Sequence, residues 1–172
     1  MSARYNLLNA AASLVAAEGV TALGVERVVQ EAGVSKGSFF YHFATKEEMI
    51  RALLDHVVQG CMSEVDEAVS NGASLTDALI DMVVGELRQN GALIAVLVAS
   101  VTLDASLRAT LTDRCEKLRS RLIDEGGLSP ECVDLLQLAI DGAMIGTVLY
   151  NPAGRMKRAA NAERILRSII EG

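Results

Sequence analysis

Residues 32–48 have the sequence AGVSKGSFFYHFATKEE, in which a turn, a short aromatic helix and a second helix start follow one another closely. Gly33 follows a helical pattern, and glycine adopts the positive φ of a sharp turn between helices at low cost. Ser35 stands where the N-cap of the next helix belongs, and Thr45 and Glu48 have the spacing of a capping box. This order of signals predicts a helix-turn-helix, in which one helix supports a second that is free to enter a DNA groove.

The composition predicts an all-α fold. The 172 residues suffice for one domain or two small ones, and they are 51% hydrophobic but only 3% aromatic. Alanine and straight-chain residues lose little conformational freedom in helices, and no alternating strand pattern or internal repeat is present. Apolar spacing and helix-stop residues predict about nine helices, near residues 3–18, 25–32, 36–43, 45–69, 74–88, 92–103, 107–125, 129–149 and 159–170.

The charge distribution favours a local rather than a diffuse contact with nucleic acid. The chain has a formal net charge of -6, yet residues 35–46 contain Lys36, His42 and Lys46 and no acidic residue. A small basic patch on an acidic body suits specific, dimer-assisted binding to DNA.

Neither the cysteines nor the apolar runs indicate a metal site or a membrane protein. Cys61, Cys115 and Cys132 are odd in number and widely spaced, so we expect ordinary buried thiols in a reducing compartment. The first residues lack the pattern of a signal peptide, and the longest apolar runs fall short of the ~20 residues of a membrane span. We therefore expect a cytoplasmic protein that has no cofactor and no membrane partner.

A helical wheel separates the two sides of the aromatic helix. Phe39 and Phe43 fall about 40° apart and define the side that faces the core, and Tyr41 points almost opposite them. The exposed side then consists of Gly37, Ser38 and Tyr41, edged by Lys36, His42 and Phe40. Aromatic residues at helical spacing are more often core, but the ordered string of turn, cap, basic residue and capping box favours DNA binding.

The chemistry of these exposed residues suits DNA. A glycine lets the backbone approach closely, Lys36 reaches a phosphate or a guanine edge, and the hydroxyls of Ser38 and Tyr41 suit phosphate oxygens. Lys46, in the first turn of the next helix, is placed to meet a phosphate together with the free amides of that helix.

Residues 32–49 resemble the tetracycline-repressor (TetR) family of bacterial one-component regulators. The family pattern is roughly AGVSKGTLYxYFxSKEEL, and this chain has AGVSKGSFFYHFATKEEM. The resemblance extends through the preceding helices, where Ala-Glu-Gly at 17–19 matches the usual end of the first helix. It implies a DNA-binding domain at 1–45 and a helical effector-binding and dimerisation domain at 46–172. It also implies DNA contacts from Ser35, Lys36, Gly37, Ser38, Phe40, Tyr41, His42 and Lys46.

Two positions depart from the family pattern. Gly24 stands where the family often has a threonine that caps the second helix and touches a phosphate, so that hydroxyl contact is missing. Phe40 stands where tyrosine is usual, which removes one phosphate hydrogen bond and leaves an apolar face for a thymine methyl. Both departures bear on the operator sequence and on the strength of binding.

The resemblance implies a homodimer in which the last two long helices of each chain form a four-helix bundle. The alternative is that their apolar residues pack within the monomer. Gly142 and Gly146 are four residues apart, which permits close helix approach, although this spacing is a weak signal outside membranes. The predicted interface residues are Leu135, Leu138, Gly142, Ile145, Gly146, Leu149, Ile165, Leu166 and Ile169.

An effector cavity is expected among the helices that follow the fourth. Its candidate lining, each member of which also suits plain core, is Met62, Met82, Leu97, Val101, Leu118, Leu122, Asp141 and Met144. A carboxylate at Asp141 among apolar neighbours is costly unless it is paired. It is predicted to meet a polar effector group, to cap a neighbouring helix or to pair across the dimer, and these alternatives stay open. The aliphatic composition hints at a lipophilic ligand.

The sequence contains no recognisable catalytic set. It has only His42 and His56, no phosphate-binding loop, no nucleophile elbow and no metal-ligand spacing. The resemblance implies an effector-responsive regulator, a repressor by family default, that binds a pseudo-palindromic double-stranded DNA operator and is released by a small molecule. The alternative is a helical ligand-binding or adaptor protein that does not bind DNA specifically.

Overall fold

The computed structural model describes residues 2–19, 22–89, 105–149 and 152–171, and it is all-α over these residues. The helices are α1 (Ala3–Glu18), α2 (Val25–Ala32), α3 (Lys36–His42), α4 (Lys46–Ser70), α5 (Leu75–Gln89), α6 (Ala105–Asp124), α7 (Pro130–Leu149) and α8 (Arg155–Glu171). The predicted fold class is confirmed, and eight predicted helices are present with nearly the predicted bounds. The helix predicted at 92–103 lies outside the described residues.

The N-terminal core forms where α1, α2, α3 and the first half of α4 meet. The buried side chains include Leu7 and Leu14 from α1, Val28 from α2, Phe39 from α3 and Leu53 from α4. This core extends past residue 45, where the sequence predicts the end of the DNA-binding domain. The first turns of α4 therefore belong to the packing that holds α3.

A second core lies between α4, α5, α6, α7 and α8. It contains Val65 from α4, most of the apolar face of α5, and Leu122, Leu136 and Leu166 from the last three helices. α8 packs against both α5 and α7. The single helix α4 thus contributes to both cores, with Leu53 and Leu54 in the first and Val65 in the second.

The helix ends follow the local sequence signals. Gly33 ends α2 in the left-handed region at φ 65°, and the following Val34 N–H donates to the Val29 carbonyl at 3.0 Å. The Ser35 hydroxyl accepts from the Ser38 N–H at 3.1 Å, which caps α3. The Thr45 hydroxyl likewise accepts from the Glu48 N–H at 3.1 Å.

Three details differ from the sequence predictions. The Glu48 carboxylate accepts from the Ala44 N–H at 2.7 Å, one residue before the N–H that a standard capping box uses. Phe43 is not the last residue of α3 but its C-cap. α8 begins at Arg155 rather than at residue 159, because the short 3₁₀ helix Pro152–Gly154 leads directly into it.

The described residues contain neither a candidate membrane span nor a candidate metal-binding cluster. None of the helices has the length and apolar character that crossing a membrane requires. No group of three or more His, Cys, Asp or Glu side chains in the described ranges is arranged to hold a metal ion.

Gly33 and Gly60 allow a matched test of the turn before α3. Gly33→Ala is expected to lower the free energy of unfolding by about 1 kcal/mol, because alanine is strained at positive φ. Gly60→Ala is expected to raise it by about 0.5–1 kcal/mol, because this exposed glycine lies inside α4 and a Cβ there meets nothing within 4 Å. Urea denaturation of both variants checks the signs, and equal shifts would contradict the role given to Gly33.

Candidate nucleic-acid interface

The two sides of α3 differ sharply in exposure. Phe39 and Phe43 are 0% and 1% exposed, whereas Phe40 and Tyr41 are 50% and 85% exposed. The Phe39 and Phe43 ring centroids lie 5.7 Å apart, so the two rings pack on each other inside the N-terminal core. The back of α3 is thus fixed, and its front carries two aromatic side chains that no helix covers.

The start of α3 exposes its backbone. Ser35, Lys36 and Gly37 are all exposed, and Ser38 is partly exposed. A Cβ at Gly37 would meet only the Ser35 hydroxyl, at 3.7 Å, which is an ordinary contact. The fold therefore tolerates a side chain at Gly37, and the open space in front of it lies outside the subunit.

The ion pair that Lys36 of α3 forms is a weak surface pair. The Lys36 ammonium lies 3.3 Å from the Glu26 carboxylate of α2, and both side chains are mostly exposed. Such a surface pair contributes about 0–1 kcal/mol, so an incoming phosphate can compete for Lys36. Lys46 is partly buried in the first turn of α4, next to Glu47 and Glu48.

The end of α3 adds further groups. The His42 ring is partly exposed and makes an edge contact with the Tyr41 ring at 5.0 Å between centroids. The Arg4 guanidinium lies 5.3 Å from the centroid of the Phe43 ring. This exposed Arg4 supplies a cation beside α3 that sequence reasoning missed, since a single basic residue early in a chain gives no periodic signal.

Six of the eight predicted DNA-binding residues lie on α3, Ser35 is its N-cap and Lys46 is the first residue of α4. Each of the eight is at least partly exposed. Gly24, which stands where the family often has a threonine, caps α2 without a side-chain hydrogen bond. Its carbonyl accepts from the Val28 N–H at 2.9 Å. The second helix thus lacks a capping hydroxyl that could reach a phosphate.

A cavity of about 300 Å³ lies between α4, α5, α6 and α7. Five of the predicted lining residues surround it, namely Met62, Met82, Leu118, Asp141 and Met144. Leu122 does not line this cavity, because it is 4% exposed and packs in the second core. Leu97 and Val101 lie outside the described residues.

Two cysteines lie on the cavity wall. Burial, with the nearby Glu86 and Glu64 carboxylates, raises the pKa of the Cys61 thiol to about 12. Partial desolvation against the cavity wall, with the charges of Asp141 and Glu116, also raises the pKa of Cys115. The prediction of a buried thiol is confirmed at Cys61 and is wrong at Cys115, whose side chain is exposed. Cys132 is half-buried, and its thiol donates to the Ile169 carbonyl at 3.4 Å.

The Asp141 side chain is more exposed than its apolar neighbours in the sequence suggest. Its side chain is exposed and accepts from the Gln137 amide at 2.9 Å, one turn earlier on α7. Its burial cost is therefore small. Asp141 lines the cavity, which is the geometry required of a residue that meets an effector.

An apolar face of α7 and α8 remains uncovered in the single chain. Its exposed side chains are Leu135 (53%), Leu138 (70%), Ile145 (51%) and Ile165 (44%). Met156 is also exposed, but it lies nine residues before Ile165 and therefore on the opposite side of α8. Gly142 is exposed and Ile169 is partly buried, whereas Gly146 is buried.

Leu166 is a correction to the predicted interface. It is 1% exposed and packs in the second core, so it has no side-chain area left to bury against a second copy. On a helical wheel of α8, Leu166 points inward when the adjacent Ile165 points outward. The side chain of Leu149 lies outside the described part of the structure.

Comparison with known proteins identifies the N-terminal region. The family described as "Bacterial regulatory proteins, tetR family" matches residues 7–53, which run from α1 into α4 and contain α2 and α3. The HTH-type transcriptional repressor KstR2 of Mycobacterium tuberculosis is 33% identical over 78 residues. That match covers 45% of this chain and 39% of the repressor, so the chain spans about two fifths of the length of the curated relatives it matches.

Solved structures extend the likeness in fold to nearly the whole chain. A transcriptional regulator from Rhodococcus sp. Rha1 superposes with a TM-score of 0.74 at 23% identity, over 99% of this chain and 97% of that one. The multidrug binding protein EbrR, complexed with imidazole, superposes with a TM-score of 0.68 at 24% identity, over 96% and 88% of the two chains. At these identities the likeness establishes a shared fold.

Phe39 and Tyr41 test the two-sided character of α3. Phe39→Ala is expected to lower the free energy of unfolding by about 3–5 kcal/mol, because it empties a fully buried site. Tyr41→Ala is expected to stay within about 0.5 kcal/mol of the parent chain, because its side chain touches solvent. Urea denaturation followed by circular dichroism measures both, and a large loss for Tyr41→Ala would mean that this face is part of the fold.

Proposed function

We propose that this chain, whose residues 7–53 match the TetR family of bacterial regulatory proteins, is a regulator of that family. In this proposal it binds a pseudo-palindromic DNA operator as a homodimer and releases it when a small lipophilic effector enters the cavity. The observation that carries the proposal is the exposed front of α3, where Gly37, Ser38 and Tyr41 face outward while Phe39 and Phe43 anchor the helix. Repression is the direction that we propose, in line with the KstR2 repressors that share the N-terminal region. Because the target is chromosomal DNA, we expect the protein to act in the bacterial cytoplasm.

The exposed front of α3 is suited to the major groove. Gly37 lets the helix backbone come close to the duplex, and the hydroxyls of Ser35, Ser38 and Tyr41 are donors for phosphate oxygens. Lys36 exchanges its weak pairing with Glu26 for a phosphate or a guanine edge. The exposed Phe40 ring offers an apolar surface to a thymine methyl group.

Dimerisation supports the proposal because one such helix reads few bases. A two-fold dimer places two recognition helices in successive major grooves, one helical turn apart. The uncovered apolar face of α7 and α8, with Leu138 and Leu135 most exposed on α7, supplies a self-complementary surface. Contact through this face would form the four-helix bundle that the family resemblance implies.

The contacts of α4 support a route from the cavity to α3. The Arg114 guanidinium on the cavity wall donates to the Asp55 carboxylate of α4 at 2.6 Å. Leu111, one turn earlier on α6, lines the same cavity and also packs against the N-terminal core. A ligand that displaces α6 therefore pulls on α4 next to the residues that hold the recognition helix.

His56, which follows Asp55 on α4, connects α4 to α1. A nitrogen of the His56 ring, Nε2, lies 2.8 Å from the Asn9 side-chain oxygen of α1, and the ring meets Tyr5 edge-on at 5.3 Å. Burial and the positive charge of Arg4 lower the pKa of His56, so the neutral imidazole is favoured between α1 and α4. We propose that effector binding shifts the population toward a form whose two recognition helices no longer match successive grooves.

DNA binding is tested by selecting duplexes from a random pool and measuring their affinity at several salt concentrations. The expected result is an inverted repeat, bound with a nanomolar dissociation constant that rises steeply with salt. Gly37→Ala is expected to weaken binding at least about tenfold, since its methyl group stands between the helix and the groove. Gly60→Ala is the control and should bind like the parent. Weak binding without sequence preference would favour the adaptor alternative.

The ion pair between Asp55 and Arg114 tests the route through α4. Asp55→Arg is expected to change operator affinity at least about fivefold, within the usual range of allosteric coupling, and Asp55→Arg combined with Arg114→Asp to restore it. The pair Asp113 and Lys117, 2.7 Å apart within α6, is the control, because reversing its charges leaves α4 untouched. Unchanged affinity in a folded Asp55→Arg variant would exclude this contact from the route.

A further inference from the structure

The C-terminal helices form a bundle whose two ends differ in their position relative to α3. α4 passes from the N-terminal core, where it buries Leu54, to the second core, where it buries Val65. We call the end of the bundle beside the N-terminal core proximal and the end near Ser70 distal. Val58 of α4 and Glu86 of α5 line the same cavity, so α5 runs antiparallel to α4 after the short turn that joins them. α5 therefore begins at the distal end and ends at the proximal end.

Ion pairs fix the direction of α8 along α5. Arg167, near the end of α8, lies 2.8 Å from Asp77 in the first turn of α5. Arg88, near the end of α5, lies 2.7 Å from Glu163 of α8. α8 is thus antiparallel to α5, and its first turn, residues 155–158, lies at the proximal end of the bundle.

The distal end is acidic. Residues 61–81, which form the last turns of α4 and the first turns of α5, contain five acidic residues and no basic one. These acids are Glu64, Asp66, Glu67, Asp77 and Asp81. Arg121 of α6 and Arg167 of α8 pair with three of them, whereas Glu64 and Glu67 are exposed. The distal end therefore keeps a negative charge.

The proximal end is basic at the start of α8. Between Asp141 and Glu163 the sequence contains three charged residues, and all three are basic, namely Arg155, Lys157 and Arg158. Lys157 is exposed and Arg155 is half-buried, and neither pairs with a carboxylate in the described ranges. Arg158 has a contact of its own, so only Arg155 and Lys157 are counted as available charges.

Helix stability does not explain the position of these bases. The helices α2, α4, α5 and α7 each have an acidic residue in the first turn, which the positive end of the helix dipole favours. α8 has no acidic residue in its first turn, and its bases there oppose the dipole. Attraction to an anion outside the chain does explain their position.

We propose that the basic start of α8 attracts the phosphate backbone of DNA over a distance and turns the proximal end of the bundle toward the duplex. The duplex attracts Arg155 and Lys157 and repels the acidic distal end, so a chain of negative net charge approaches with α3 foremost. This inference rests on the proposed function in that the partner is duplex DNA. It concerns the rate of approach and leaves the reading of bases to α3.

The proposed homodimer presents these bases twice. Both recognition helices must reach the same face of one duplex, so both proximal ends lie on the side of the DNA. Each dimer then carries two copies of Arg155 and Lys157 on that side, and two acidic distal ends on the other. One substitution in the chain consequently changes two charges in the dimer.

Lys157 and Arg164 allow a matched test of this inference. Both are exposed, and they lie seven residues apart on the same side of α8, which places Arg164 about 10 Å farther along the helix toward the distal end. Salt at about 0.1 M screens charges over about 10 Å, so the duplex should respond more strongly to a change at Lys157. Lys157→Glu and Arg164→Glu each reverse one positive charge and leave the same net charge.

Stopped-flow fluorescence with a labelled duplex, selected as described above, measures the association rate of each variant. At about 0.1 M salt, Lys157→Glu is expected to slow association at least about twofold and Arg164→Glu distinctly less, and the difference should vanish at about 0.5 M salt. Adding Arg155→Gln to Lys157→Glu should slow association further. A glutamate in the first turn of α8 also suits the helix dipole, so Lys157→Glu is expected to fold at least as stably as the parent.

A random-sequence duplex of the same length separates this inference from the proposed function. Slowing by the same factor on both duplexes, with an unchanged rate of dissociation from the selected duplex, supports attraction to the backbone. Equal slowing by Lys157→Glu and Arg164→Glu, or no slowing by either, overturns the inference, because the position of the charge then has no effect. If the parent binds both duplexes alike, the proposed function fails, and the two variants still decide the inference on the random duplex.

Discussion

The packing of Phe39 and Phe43 into the N-terminal core is the constraint on which the rest of the site depends. A helix of seven residues is too short to be stable on its own. Burying these two rings contributes about 1.5–3 kcal/mol each, and it fixes the rotation of α3 about its axis. Because rotation is fixed, the glycine, serine and tyrosine side must face outward. The same two contacts thus create the helix and select the surface that it presents.

The second structural consequence is that α4 belongs to two cores at once. Its first turns pack beneath α3, and its later turns pack against α5. A rigid helix shared by two cores transmits a displacement from one to the other, provided that the two cores can change their relative position. The ion pair of Asp55 with Arg114 and the contact of His56 with Asn9 involve adjacent residues of α4, just before the part of the helix where the two cores meet. In the proposed mechanism, effector binding and DNA binding are therefore joined by one helix rather than by a chain of loops.

Much of the N-terminal region could be predicted from the sequence, because its signals are local. The left-handed turn at Gly33, the caps at Ser35 and Thr45 and the 3.6-residue spacing of Phe39 and Phe43 each depend on residues a few positions apart. The last helix is harder to predict from the sequence. Ile165 and Leu166 are both apolar and adjacent, so composition alone does not say which one faces out. The start of that helix depended on a 3₁₀ turn with no strong sequence signal.

The pairing of Arg114 with Asp55, 59 residues apart, was beyond prediction for a different reason. Nothing in either local sequence distinguishes these residues from other exposed charges of the same helices, and their contact follows from how α6 packs against α4. The same argument explains how an acidic chain can suit a DNA-binding role. All of its acidic residues lie outside residues 35–46, and several neutralise bases of the C-terminal helices. Those pairs consume positive charge away from α3, and Lys36 beside α3 has only an exposed pair with Glu26. With so few cations at this surface, nonspecific attraction to DNA is weak, and in the proposed function the fit to bases and phosphates must supply the affinity.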